Sequence, residues 1–193
     1  DSLSSLNTAL EMDPDNPAFL ARRGRCNYMT GNLENAIEDL TRARVLDPDG
    51  FQEFEYLGKS LGDSGDYYAA MICFSQGAEY AEDPSERAWL VSYKARCNRL
   101  IGDLDQSAAD YAEASSLEPG EPYFQFMLGE VLWLMDREEE AIPCFDRAIE
   151  LGLQEDYLPG CYLERGRSYL FLDDLDKAVA DFDSALAIRP DFS

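Results

Sequence analysis

Residues 6–14 read LNTALEMDP and residues 40–48 read LTRARVLDP. Each has a large apolar residue (Leu6, Leu40), then an alanine (Ala9, Ala43), then a proline (Pro14, Pro48), and every member of the second trio follows its counterpart at one fixed interval. The trio returns as Tyr111, Ala114, Pro119 and as Phe182, Ala185, Pro190. Working outward, a second set of small residues keeps that interval or slightly more: Gly24, Gly58, Ala95, Gly129 and Gly166. Helices approach closely only where a side chain is tiny, so these positions predict tight helix crossings. A third set runs Ala36, Ala70, Ser107, Ala141, Ala178, then Leu40, Phe74, Tyr111, Phe145, Phe182, then Ala43, Gly77, Ala114, Ala148, Ala185. Their spacing holds all three rows on one helical face. Each unit therefore reads as a pair of helices.

The turns agree. TGN at 30–32, SGD at 64–66 and IGD at 101–103 put a glycine at the end of a first helix, then Asn or Asp to cap the second. Met135-Asp136 and Asp173-Asp174 must do the same without glycine. Pro143 falls early in a second helix and should bend it slightly. A longer period, two units in length, overlies the first. Arg25, Arg96 and Arg167 are evenly spaced by it, and it also relates Cys26 to Cys97, Cys73 to Cys144 and Phe74 to Phe145. Duplication of a two-repeat unit explains this. The extra residues lie near Ala81–Pro84 and Gly152–Asp156, where they should lengthen the connection or the helices beside it.

A helix pair repeating about every 34 residues resembles the tetratricopeptide repeat (TPR). The resemblance implies an all-α fold, a right-handed α-solenoid of antiparallel helix pairs forming a TPR-like superhelix. It divides 1–193 into a second helix of a truncated repeat, 1–14, and full repeats 17–50, 51–84, 88–121, 122–155 and 159–192. Both ends read as cut, which suggests a segment of a longer protein or ends that pack on partners.

Composition narrows the function. A net charge of −23 argues against nucleic acid. No apolar run approaches membrane-spanning length, so no membrane insertion is expected. Histidine is absent, which removes Ser-His and Cys-His nucleophile pairs. Neither a phosphate loop nor a CxxC pair occurs; GDSGD at 62–66 lacks the spacing and the lysine. No catalysis, metal or cofactor is expected. Cys26, Cys73, Cys97, Cys144 and Cys161 read as small core residues, and reduced thiols favour an intracellular, cytoplasmic setting.

In TPR arrays the first helices line a concave groove. Over 17–30, 51–64, 85–101, 122–135 and 157–171 they carry +3, −2, +3, −1 and +1, so the groove is mildly basic and the back strongly acidic. Helical spacing from the small sites puts Arg25, Tyr28, Tyr56, Lys59, Trp89, Tyr93, Arg96, Arg99, Tyr123, Phe126, Trp133 and Arg167 in that groove. Gln52 joins them six before Gly58, and Gly62 four after it. Aromatic and Arg side chains dominate binding hot spots. They point to a protein or peptide partner: a short motif with an apolar anchor and one or two anionic groups. In the blander reading, the arginines pair with carboxylates such as Glu55 and Glu130, and the aromatics pad helix contacts. Arg23, Lys94 and Arg165 should lay their stems over apolar neighbours.

The carboxylate clamp of chaperone-binding TPR domains is not supported, because Ala21, Arg25 and Tyr56 stand at its places. The asparagine ladder of the sugar-transferring nuclear enzyme is missing too: Arg22, Tyr56, Tyr93, Met127 and Glu164 stand there. The leading expectation is an interaction scaffold or adaptor binding a peptide segment. The alternative is a structural or self-associating solenoid, through its open ends, or a regulatory segment of a larger protein.

Overall fold

The computed structural model describes residues 3–47 and 51–190. Pro48 of the founding repeat, the side chain of Gln52 and residues 191–193 at the end of the last repeat lie outside the described residues. Contacts divide the chain into two compact units, 1–101 and 102–193.

In the first unit the helices are α1 (Leu3–Met12), α2 (Pro17–Met29), α3 (Leu33–Leu46), α4 (Phe51–Asp63), α5 (Tyr67–Tyr80) and α6 (Pro84–Leu100). In the second they are α7 (Leu104–Leu117), α8 (Pro122–Leu134), α9 (Glu138–Glu150), α10 (Leu158–Phe171) and α11 (Leu175–Ile188). The fold is all-α, built of consecutive antiparallel pairs. Proline opens α2, α6 and α8, where its missing N–H costs nothing. Asn16, Asp83 and Glu121 cap those helices through Phe19, Ser85 and Tyr123 N–H groups.

Turns inside the pairs need a left-handed residue. Gly31 (φ 79°), Gly65 (93°) and Gly102 (85°) supply it. Where glycine is lacking, Asp136 (φ 55°) and Asp173 (63°) take that strained conformation. Asp66, Asp103 and Asp174 then cap the next helix. Asn32 does not: its amide donates to Thr30 Oγ1 instead. Arg137, with no side-chain cap, precedes α9, which runs on through Pro143.

The small sites do what their spacing requires. A methyl group on Gly24 would sit 2.6 Å from Leu40 Cγ, and one on Gly58 2.5 Å from Phe74 Cε1. On Gly129 it would sit 2.6 Å from Phe145 Cε1, and on Gly166 2.7 Å from Phe182 Cε1. Ala36, Ala43, Ala70, Ala141, Ala148, Ala178 and Ala185 are all buried. In the first unit the core passes from pair to pair: Leu10, Leu20 and Ala43 pack together, then Leu40, Leu57 and Cys73, then Phe74, Leu90 and Cys97. Such nearest-neighbour clusters replace the single core of a compact domain.

The two insertions are absorbed differently. Near Ala81–Pro84 the added length becomes helix: α6 has 17 residues, against 13 in α2, α4 and α8. Near Gly152–Asp156 it becomes a loop, with Gly152 left-handed (φ 83°) and Leu153 tucked into the core.

Partly buried ion pairs join the helices. Arg23 holds Asp39 through two bonds of 2.7 and 2.8 Å and reaches Asn7 at 3.0 Å. Arg165 holds Asp181 at 2.5 and 2.8 Å and Asp146 at 2.6 Å. The stems of Arg23 and Arg165 thus carry heads with structural work of their own, beyond covering apolar neighbours. Cys73, Cys97 and Cys161 are buried, but Cys26 and Cys144 are only half-buried, a correction to the all-core reading. Burial raises the thiols of Cys97 and Cys144 to about 11 and that of Cys161 to about 12. None of the described helices is long and apolar enough to cross a membrane.

Candidate functional site

In the first unit, α2, α4 and α6 present one face each to a shared surface. Their small residues Gly24 and Gly58 turn toward the second helices, against Leu40 and Phe74. Arg25, Lys59 and Arg96, one position on from Gly24, Gly58 and Ala95, and Tyr28, four on from Gly24, lie on the shared face. Cations and rings alternate there. Arg25 lies 4.6 Å above the Tyr56 ring. Lys59 lies 5.3 Å from the same ring and 4.4 Å from the ring of Tyr93. Tyr28 meets Tyr56 edge-on at 5.8 Å, and Trp89 lies 6.0 Å from Tyr93. Each such contact contributes about 0.5–1 kcal/mol where exposed.

Beside this row is a pocket of about 250 Å³. Gly58, Gly62, Phe74 and Cys97 line it along with Tyr28, Tyr93, Lys59, Arg96 and Asp63. A methyl group on Gly62 would stand 3.7 Å from Ala70 Cβ and 3.9 Å from Cys97 Sγ, in ordinary contact. The glycine here is therefore not required by packing, unlike Gly58 four residues earlier. It leaves a hole.

The pocket's charges are partly engaged. Lys59 Nζ is 2.5 Å from Glu55 Oε1 in its own helix. Desolvation pulls the Lys59 pKa down, but hydrogen bonds to Glu55 and Tyr93 outweigh it and leave it raised. Lys59 stays charged. Tyr28 donates its hydroxyl to Asp63 at 3.1 Å, and burial followed by the Asp63 charge raises its pKa. Arg96 Nη2 is 3.9 Å from Asp63 Oδ1, with its side chain 55% exposed. The charge pairing considered in the sequence does occur for two of the arginines: Arg96 with Asp63 and Arg167 with Glu164. Asp63 had no motif to mark it. Arg99 does not line the pocket; it is half-buried, with Nε shielded and making no hydrogen bond among the described residues.

The second unit places Tyr123, Phe126, Trp133 and Arg167 differently. Tyr123 packs edge-on against Tyr157 at 5.3 Å. Phe126 is buried, 6.0 Å from Tyr157 and 6.3 Å from Phe145. It serves the core and leaves the outward face, a correction to its expected place. Leu153 and Tyr157 belong to the inserted loop, whose course helical spacing does not predict. Trp133 is half-buried with the Arg167 guanidinium 5.8 Å above its ring. Arg167 also bonds Glu164 at 2.9 Å. Burial raises the Glu164 pKa against the opposing pull of Arg167, and its Oε2 is shielded without a hydrogen bond among the described residues. No group of three or more Cys, Asp or Glu side chains suited to a metal ion occurs among the described residues.

Tetratricopeptide repeat models match residues 1–51 and 101–155, and a second such model matches 159–192. TPR repeat-containing protein YpiA of Bacillus subtilis is 26% identical over 187 residues, 96% of this chain and 42% of YpiA. The chain spans less than half the length of the curated relatives it matches. The crystal structure of MamA protein superposes with a TM-score of 0.78 at 20% identity, covering 90% of this chain and 92% of MamA. YrrB, a TPR protein with an unusual peptide-binding site, gives 0.76 at 17% identity over 99% of this chain and 95% of YrrB. At such identities the structures share the fold alone. With one model matched over more than half its length, and the helix pairs on the page, the chain belongs to the tetratricopeptide repeat family.

Proposed function

We infer that the outward face of α2, α4 and α6 binds a peptide segment of a partner protein. Tetratricopeptide repeats are generally protein–protein interaction modules rather than catalysts. The observation that carries the finer reading is the row Arg25–Tyr56–Lys59–Tyr93 running beside an open pocket. Rings give apolar area at low entropic cost, and guanidinium and ammonium groups hold carboxylate or phosphate. A short motif with an apolar anchor and one or two anionic groups fits. A strongly acidic partner does not, because a net charge of −23 repels it at long range. That charge also disfavours nucleic acid. YrrB, with the same fold and a peptide-binding site of its own, supports the ligand class. Five free cysteines, three of them buried, favour a reducing, intracellular setting.

The test is selection of peptides from a random phage-displayed library on the wild-type chain. The peptides are then measured on Arg25→Glu/Arg96→Glu, checked for folding by circular dichroism. Loss of tenfold or more on the folded variant is expected. Unchanged binding would sink this reading.

A second reading, self-association, has its own observation. Phe171, Leu175 and Val179 of α10 and α11 are 68%, 54% and 57% exposed. Sedimentation of the chain at several concentrations separates the two: a monomer throughout disfavours it.

A further inference from the structure

The pocket over Gly62 has an internal counterpart one two-repeat unit further along the chain. Gly58 packs on Phe74 as Gly129 packs on Phe145: a methyl group placed on either glycine would meet the same ring atoms, Cε1, Cδ1 and Cζ, at 2.5, 2.8 and 2.9 Å and at 2.6, 2.8 and 3.0 Å. The α4–α5 and α8–α9 pairs therefore dock alike. Position 62 on α4 corresponds to position 133 on α8, and Arg96 on α6 to Arg167 on α10. At 133 the chain supplies its own tryptophan, with Arg167 5.8 Å above the ring. At 62 it supplies no side chain, and a pocket of about 250 Å³ remains with Arg96 at its rim. That is below the roughly 300–1,000 Å³ of small-molecule sites and suits a single side chain.

We propose that this pocket receives an aromatic side chain of the bound peptide, seated over Gly62 and capped by Arg96 as Arg167 caps Trp133. This rests on the peptide-binding reading of the same face and names its anchor. The electrostatics favour a ring over an aliphatic group. Lys59 and Arg96 both line the pocket, and a π face attracts cations. Phe74 and Tyr93, with centroids 5.4 Å apart, offer further aromatic surface. Asp63 limits a second negative charge in the pocket, so an anionic group of the peptide falls outside it, toward Arg25.

The experiment is a ¹⁵N–¹H titration of the whole chain with N-acetyl-tryptophanamide, and with N-acetyl-leucinamide as the aliphatic control. Saturable shifts at Gly62, Cys97 and Arg96 with the tryptophan probe alone are expected. Gly62→Trp should abolish them while circular dichroism stays native, since tryptophan already occupies the equivalent place. Gly62→Leu is the second plug should the tryptophan variant misfold. Arg96→Ala should weaken the probe about two- to fivefold, the weight of one exposed cation–π contact. The proposal is overturned if the tryptophan probe leaves these residues unmoved. It is also overturned if plugged variants still bind, or if the leucine probe binds equally. Selected peptides separate the two claims. Peptides lost on Arg25→Glu/Arg96→Glu but indifferent to Gly62→Trp keep the peptide-binding face and overturn the aromatic anchor. A ring bound at Gly62 with no peptide selected supports the pocket and removes the peptide reading.

Discussion

The α4–α5–α6 face of the first unit and the α8–α9–α10 face of the second follow one plan with opposite outcomes. Both bring a glycine onto a phenylalanine and an arginine onto the face. In the first, Lys59, Gly62 and Tyr93 leave an open, cationic, ring-lined pocket. In the second, Glu130, Trp133 and Glu164 stand at those positions, and Trp133 and Glu164 both engage Arg167. Gly58 and Phe74, which make the helices dock, recur as Gly129 and Phe145, while Lys59, Gly62 and Tyr93 are exchanged. Docking depends on atoms turned inward, so the outward set can be exchanged at little cost to the fold.

The largest expected effect tests the shared framework. Phe74→Ala and Phe145→Ala should each destabilise by about 3–5 kcal/mol, the usual range for emptying a buried ring site. Urea unfolding of both variants checks this. Losses differing by much more than about 1 kcal/mol would show that the two pairs are not packed alike.

The ion pairs sharpen the contrast. Asp39→Ala leaves Arg23 with Asn7 as its hydrogen-bond partner and Glu38 nearby, whereas Asp181→Ala leaves Arg165 bonded to Asp146. Removing one partner of a buried pair costs about 3–5 kcal/mol when the other is stranded. Asp39→Ala should fall near the low end, about 3 kcal/mol, because Arg23 keeps some exposure. Asp181→Ala should cost less, about 2 kcal/mol, because Asp146 remains as counter-charge. The reverse order in thermal melts would show that Asp146 does not compensate.

The smallest effect is a pH dependence of the filled face. Burial raises the Glu164 pKa above the ordinary 4.5, so the native state holds this proton more tightly than the unfolded chain. The resulting stability is fully present below 4.5 and is lost as pH rises through the folded value. Glu164→Gln should therefore gain on the wild type between pH 4 and 7, by less than about 1 kcal/mol. A flat difference across that range contradicts the buried-carboxylate picture. The first unit has Tyr93 at the matching position and should show no such component from it.

Most of the fold was legible because tight crossings permit few residue types, and Gly24, Gly58, Gly129 and Gly166 repeat visibly. The unread parts depended on burial, which periodicity does not report. Asp39, Asp110 and Asp181 also recur with the long two-unit period and are all buried. In a chain of 39 acidic residues, however, each resembles a solvated surface carboxylate. Phe126 has the spacing of an outward residue, yet the loop carrying Tyr157 covers it. Asp63 and the hole at Gly62 emerge only when three helices are brought together. Glycine at 62 reads in sequence like any other small residue, and the space it leaves becomes meaningful beside Trp133.

The proposal assigns peptide recognition to the face of the first unit. The most direct measurement is calorimetric titration of peptides selected on the wild-type chain into Gly62→Trp and into Arg167→Glu, both confirmed folded. The expected result is loss of binding in Gly62→Trp and near wild-type affinity in Arg167→Glu, since the second face is filled by its own tryptophan. Binding that survives the plug at 62 and disappears with Arg167→Glu would contradict it and move recognition to the second unit.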